Sequence, residues 1–242
     1  MLEVKNIYKS FGGVKALDGC DFVIRENEIT AMIGPNGAGK TTLFDIISGL
    51  LPADSGQIFL AGKEITNLRP DEIANAGVSR TFQQVRLFKN LTILDHLLMA
   101  QDNQDVKMLA NLINGNHIDK EKYKVYIASF GIEKKLETKV SDLSYGQRKL
   151  LNMAIAFLKL HKILLLDEPV AGVNKVLQKQ IENLLLKFKE EKKTILIIEH
   201  DIEFVRKLAD RVIVLDQGKV IADGAPNQVL KLPHVLEAYL GE

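Results

Sequence analysis

The chain has a single cysteine, Cys20, among 242 residues. No internal disulfide is possible, which agrees with a reducing compartment. Cys20 lies in the strand-like run Cys20-Asp21-Phe22-Val23-Ile24, where a small core residue is expected rather than a nucleophile. No apolar run approaches the roughly 18 residues of a membrane span. If the protein serves a membrane, it is expected to dock onto something embedded there. The start, Met1-Leu2-Glu3-Val4, has no signal-peptide pattern. Excess charge is also missing: the net value is +1, so no global pull towards nucleic acid or anionic lipid is expected. Fixed-period repeats and low-complexity tracts are absent too. With 46% hydrophobic and 26% charged residues, the composition suits one or two compact units with a real core.

The most informative stretch is Gly34-Pro35-Asn36-Gly37-Ala38-Gly39-Lys40-Thr41-Thr42, which reads G-x-x-x-x-G-K-T. A short apolar run, residues 28–33, precedes it as a buried strand. Leu43, Ile46, Ile47 and Leu50 follow at helical spacing, with Gly49 available as a C-cap. Strand, glycine loop and helix therefore stand in the order a phosphate-cradling P-loop requires. The glycines let backbone N–H groups face phosphate oxygens, and the helix start adds its positive dipole end. Lys40 supplies a charge for the β- and γ-phosphates, and the Thr41 hydroxyl can ligate Mg²⁺. This motif by itself means a nucleoside triphosphate and no more.

Residues 2–8 and 20–25 read as antiparallel strands around a turn at Phe11-Gly12-Gly13. Phe11 suits either a loop ring on which a base could stack or a core position. Residues 56–61 form another short strand, and residues 78–83 a strand ending in Gln83. A terminal glutamine can ligate a metal or water, or simply be a polar surface residue. From about Thr92 to Leu160 the pattern becomes helical. Thr92 and Asp95 are placed as a capping box, and Asp119 as a cap for a helix burying Tyr123, Ile127 and Phe130. Leu150, Met153, Ala154, Phe157 and Leu158 make the clearest apolar stripe. The lysine-rich run 133–139 reads as a solvated surface. Apolar strands at 163–166, 194–198 and 212–215 then alternate with a helix carrying Leu177, Ile181, Leu184, Leu185 and Phe188. The expected fold is α/β: a P-loop core with a parallel sheet (1–84 and 161–242), an antiparallel β subdomain, and a helical insertion at 85–160.

In parallel sheets, sites gather at the carboxyl ends of strands. The P-loop, Gln83, Asp167-Glu168 and His200 all fall at such ends. An apolar strand ending in aspartate matches the Mg²⁺-holding carboxylate of P-loop enzymes, and the adjacent Glu168 suits a general base for water. The competing reading, a helix N-cap with a first-turn acid before Pro169, is the weaker one after four buried apolar residues. His200 could orient water or sense the γ-phosphate. His96, His117, His161 and His234 read as surface or satisfied histidines. Ser144-Tyr145-Gly146-Gln147 opens the strongest insertion helix, a second anion-binding helix start. A head-to-tail pair of chains, each offering this site to the other's nucleotide, explains why one chain carries both.

Taken together, Phe11, Gly34–Thr42, Gln83, Leu143–Gln147, Ile163–Pro169 and His200 resemble the ATP-binding subunit of ABC transporters, over the whole chain and with the motifs in family order. The resemblance implies an ATP-sandwich dimer, with itself or a homologous subunit, and integral membrane permease partners at the cytoplasmic face. It implies ATP and Mg²⁺ as cofactors, Phe11 stacking adenine, Thr41, Gln83 and Asp167 at Mg²⁺, Glu168 as base, and His200 as γ-phosphate contact. Ser144, Tyr145, Gly146 and Gln147 would reach the partner's ATP. Within the family, residues 79–83, 86–88, 170–174 and 237–241 and the Tyr145 form of the signature are similar to branched-chain amino-acid importers. Asn174, Ile155 and Arg148 depart from the commoner aspartate, arginine and glutamine. Export is the variant reading. A soluble ABC ATPase acting on nucleic acid would carry two fused cassettes or a coiled-coil insertion, and a P-loop kinase would have no use for residues 143–147; a nucleic-acid partner is not expected.

Overall fold

The computed structural model describes residues 1–82, 87–101, 119–159 and 161–240. Gln83, Arg86 and His117 lie outside the described residues. Among those described, the strands form two sheets. β1 (Leu2–Phe11), β2 (Val14–Ile24), β4 (Ser55–Leu60) and β5 (Lys63–Glu64) make an antiparallel sheet in the order β2-β1-β4-β5. β3 (Ile29–Ile33), β6 (Val78–Arg80), β7 (Ile163–Asp167), β8 (Ile195–Ile198), β9 (Arg211–Asp216) and β10 (Lys219–Gly224) form the second, in the order β10-β9-β3-β8-β7-β6. Its pairings are parallel except that of β9 with β10.

The apolar strands owe their composition to burial on both faces. Side chains alternate with period two along a strand. Ile29, Ala31, Ile33, Leu164, Leu166, Ile195, Ile197, Val212 and Val214 enter one core with the helices. Met32, Ile163, Leu165, Leu196, Ile198, Ile213 and Leu215 enter the other, against the antiparallel sheet. Thr30 of β3 is a buried polar exception, and its hydroxyl donates to Glu28 Oε1 at 3.2 Å. Cys20 is fully buried in that second core, and burial pushes its thiol up to about 12.

α1 (Lys40–Ile47) follows β3, and α2 (Pro70–Ala76) precedes β6. The helical segment contains α3 (Ile93–Gln101), α4 (Lys120–Ser129), a 3₁₀ turn at Val140–Asp142 and α5 (Tyr145–Leu158). Thr92 and Asp95 cap α3 reciprocally: the Asp95 N–H donates to Thr92 Oγ1 at 3.1 Å and the Thr92 N–H to Asp95 Oδ2 at 2.8 Å. Asp119 accepts from the Lys122 N–H at the start of α4. Phe130 and Phe157 meet Phe188 of α6 (Lys175–Glu190), the last two stacked at 3.8 Å. One core thus runs through the helical segment and α6. α7 (Ile202–Leu208), α8 (Pro226–Val229) and α9 (Pro233–Leu240) complete the order.

Some boundaries differ from the periodicity. β1 runs on to Phe11 and β2 starts at Val14, because Gly12 and Gly13 both take positive φ (52° and 88°) and close a two-residue hairpin whose twist suits the strands. β6 stops at Arg80, three residues before Gln83. Leu50 is exposed, since α1 ends at Ile47. Within the lysine-rich run, Leu136 is buried while its charged neighbours face water.

Candidate nucleotide site

The site is assembled by strand register. Met32 of β3 pairs with Ile198 of β8, and Ile198 pairs with Asp167 of β7. The residues that follow, Gly34 onward, Glu168 and Glu199-His200, therefore emerge side by side at the carboxyl edge of three adjacent parallel strands.

The P-loop turns where two glycines permit close backbone approach. A Cβ on Gly34 would lie 1.9 Å from the Leu215 carbonyl oxygen, and one on Gly39 2.4 Å from that of Ala16. Both positions also take positive φ, 149° and 101°. The contact at Gly39 brings β2 against the loop, and with it the hairpin that carries Phe11. That ring is exposed, with the Lys9 ammonium 5.5 Å from its centroid. The Gly218 N–H donates to the Ala38 carbonyl at 3.0 Å and tethers the loop to the β9–β10 turn. Lys40 is 9% exposed, and its Nζ donates to the Gly34 and Pro35 carbonyls at 2.6 and 2.8 Å. The loop thus already surrounds a cation, as a phosphate cradle must.

Asp167 is buried at the end of β7. Its Oδ2 accepts from Arg80 at 3.2 Å, while the same guanidinium holds Asp45 at 2.7 Å and lies over the Phe44 and Phe82 rings. Burial raises the Asp167 carboxyl above the ordinary aspartate value, and Arg80 opposes that shift. Thr41 and Asp167 offer only oxygen atoms, the donor set of a hard cation such as Mg²⁺ that keeps one or two protein ligands beside phosphate. Gln83, the third expected ligand, lies outside the described residues.

Glu168 has φ +46°, in the left-handed region. A non-glycine residue there costs on the order of 1–3 kcal/mol and persists only when its surroundings impose it. The Glu168 N–H donates to the Ile198 carbonyl at 3.0 Å, and Glu168 Oε1 lies 3.3 Å from His200 Nδ1. No helix begins at this pair. The next one starts far beyond Pro169, where Asn174 caps α6 by accepting the Leu177 N–H at 2.9 Å. The N-cap reading of Asp167-Glu168 therefore falls. Asn174, a departure in sequence, is a working helix cap. His200 itself is exposed. His96 is satisfied at both nitrogens, Nδ1 at the Thr92 carbonyl and Nε2 accepting the Phe88 N–H, and His234 is at the surface. His161 meets the Lys159 carbonyl through Nδ1, but its buried Nε2 has no hydrogen-bond partner among the described residues, so it is only half satisfied.

Ser144 caps α5. The Gln147 N–H donates to its Oγ at 3.2 Å and the Ser144 N–H to Gln147 Oε1 at 3.0 Å. Tyr145 is exposed, and Ser144–Gln147 line an open groove of about 550 Å³ with Gly172–Asn174 and Val176. Pro35–Ala38 line a different cleft, with Asp216, Gln217 and Glu237. The two helix starts thus face separate openings of one chain.

Three functional candidates escaped the sequence reading: Arg80, Lys149 and Glu199. Arg80 ends the short strand Val78-Ser79-Arg80, between Ser79 and Thr81, where nothing local marks it. Lys149 lies one turn ahead of Met153 on the buried side of α5. A charge on an apolar helix face was the available signal for Lys149.

A parallel sheet with a P-loop at one strand end and an Asp-Glu pair at another defines a P-loop nucleotide hydrolase. The chain belongs to the ABC transporter family, whose model matches residues 17–171, and is an ATPase cassette of that family. It is 38% identical to the high-affinity branched-chain amino acid transport ATP-binding protein BraF of Pseudomonas aeruginosa, over 100% of this chain and 98% of that one. It is 37% identical to a probable branched-chain amino acid transport ATP-binding protein LivG of Archaeoglobus fulgidus, over 100% and 95%. A nucleotide-free ATP-binding cassette from an ABC transporter superposes with TM-score 0.85 at 36% identity, covering 100% of this chain and 99% of that one. A dimeric cassette bound to ADP and Pi superposes with TM-score 0.78 at 26% identity, over 93% and 99%.

Proposed function

We propose that this chain powers uptake of branched-chain or other amino acids through a membrane permease, docked at the cytoplasmic face. The observation that carries the catalytic part is the convergence of Lys40, Asp167, Glu168 and His200 at one sheet edge. The full-length similarity to LivG- and BraF-type proteins supports the solute class.

In this reading the P-loop N–H groups and Lys40 bind the ATP phosphates, and Phe11 stacks on adenine. Thr41, Asp167 and Gln83 hold Mg²⁺, which when bound neutralises charge on the phosphate oxygens. Glu168 accepts the proton of the water that attacks the γ-phosphorus, and ADP leaves. His200, at hydrogen-bond range of Glu168, contacts the γ-phosphate. Ser144, Tyr145, Gly146 and Gln147 of a second chain close over the same nucleotide, which suits their separate groove. ATP then draws two chains together, and hydrolysis releases them.

Glu168→Gln tests this directly. Glutamine keeps size and hydrogen bonding but cannot take the proton, an assistance worth about 10²–10⁴-fold. Turnover is expected to fall by that factor with Mg-ATP binding intact. Light scattering is expected to show dimers with Mg-ATP and monomers with ADP, and Ser144→Arg to restore monomers. Turnover near the wild-type rate would remove Glu168 from the base role.

A further inference from the structure

Lys149 and Glu199 are buried charges that ATP chemistry does not call for. Lys149 is 5% exposed and Glu199 1%. The Lys149 Nζ leaves α5 and donates to the carbonyls of Glu168 and Ala171, at 3.1 and 2.8 Å. Glu199 approaches the same short loop: its Oε1 accepts the Val170 N–H at 3.0 Å, and its Oε2 the His200 N–H at 3.3 Å. Two side chains of opposite charge therefore grip alternate backbone groups of residues 168–171. The Ala171 N–H also returns to the Glu168 carbonyl at 3.2 Å, closing a turn.

Both charges are held against burial by their surroundings. Burial pulls the Lys149 ammonium down from its ordinary range, and the carboxylates of Glu199 and Glu168 pull it back. Burial pushes the Glu199 carboxyl up, and the Val170 N–H is the first group to oppose it. A buried charge left without such partners is strongly disfavoured. A pair kept here at that desolvation cost serves whatever it holds in place, and what it holds is Glu168 in its left-handed conformation.

We infer that Lys149 and Glu199 form a clamp that positions the Glu168 carboxylate for its attack-assisting role and ties it to the helix opened by Ser144–Gln147. The inference rests on Glu168 being the base. The Glu168 side chain takes its direction from the peptide planes on either side. Ile198 fixes one through the Glu168 N–H, and Lys149 fixes the other through the carbonyl. Lys149 stands two residues after Gln147, so movement of that helix start displaces the Glu168 carbonyl. Glu199 joins the histidine segment to the same loop. Both are positioning residues: neither is assigned to nucleotide.

Steady-state hydrolysis, Mg-ATP affinity, thermal unfolding and backbone amide exchange of the purified full chain test this, in Lys149→Met, Lys149→Arg, Glu199→Gln and Glu168→Gln. Misplacing a catalytic group by about 1 Å costs on the order of 10²-fold. Lys149→Met is expected to lower kcat by about that factor, with ATP affinity within about twofold and faster exchange at Val170 and Ala171. Lys149→Arg, which can still donate to both carbonyls, is expected to recover most of kcat. If Lys149→Met does not fold, Glu199→Gln carries the same expectation of reduced kcat at unchanged affinity. Wild-type kcat in Lys149→Met or Glu199→Gln overturns the clamp, as does a kcat loss that follows lost folded protein and is not recovered by arginine. An inactive Glu168→Gln beside a fully active Lys149→Met overturns the clamp alone. A fully active Glu168→Gln overturns the base assignment and the clamp with it.

Discussion

Lys40 shows how much one residue decides. Its ammonium is held inside the loop by the Gly34 and Pro35 carbonyls, so the charge is in place before any phosphate arrives. Hydrogen bonds to charged groups contribute about 1.5–3 kcal/mol each. Lys40→Ala is expected to weaken Mg-ATP binding at least tenfold and abolish turnover, with an unchanged circular dichroism spectrum; turnover at the wild-type rate would contradict the site. The lysine was legible because its meaning lies in local spacing. The pairing of Arg80 with Asp167 was not, because 87 residues separate the two and only strand pairing brings them together. The left-handed Glu168 was equally hidden, since nothing in Asp-Glu-Pro demands positive φ.

Elements were legible where they are closed by their own sequence. The Thr92–Asp95 cap is such a case, with both reciprocal bonds formed as spacing predicts. Thr92 holds the Asp95 carboxyl below its ordinary value of 3.8 through side-chain and backbone hydrogen bonds. A depressed carboxyl stabilises the fold above its unfolded value and loses that contribution as pH falls through its folded one. Asp95→Asn is expected to cost about 1 kcal/mol at neutral pH. Thermal unfolding should show the gap to wild type closing below about pH 4. A gap that stays constant down to the acid limit would remove the carboxylate charge from the cap. Element ends were less legible where a distant segment sets them, as at β6, whose pairing with β7 ends at Arg80 and Leu165.

Across the whole molecule, the large apolar side chains left at the surface include Phe88, 65% exposed. Its backbone is fixed, since the Phe88 N–H donates to His96 Nε2 at 3.0 Å, while its ring projects beyond the core that takes Leu87. We propose that this ring meets a helix of the permease. Surface substitutions usually change stability by under about 0.5 kcal/mol, so Phe88→Ser is expected to keep its unfolding temperature and basal hydrolysis but lose permease-coupled transport. Co-purification with the permease and vesicle uptake check this; a lowered unfolding temperature with normal permease binding would overturn the docking role of Phe88.

The sequence by itself determined the kind of local structure and the order of the motifs. Period-two and period-3.6 burial, caps such as Ser144 and Asp119, and the glycine loop before Lys40 all act within a few residues, where chain connectivity guarantees proximity. Only the tertiary structure decided which distant groups share a space. The register Met32–Ile198–Asp167 put three strand ends level. The same packing carried Lys149 from its helix to the Glu168 carbonyl and Glu199 to the Val170 amide. These contacts depend on how two faces of one sheet are covered, a global packing solution that no window of residues contains.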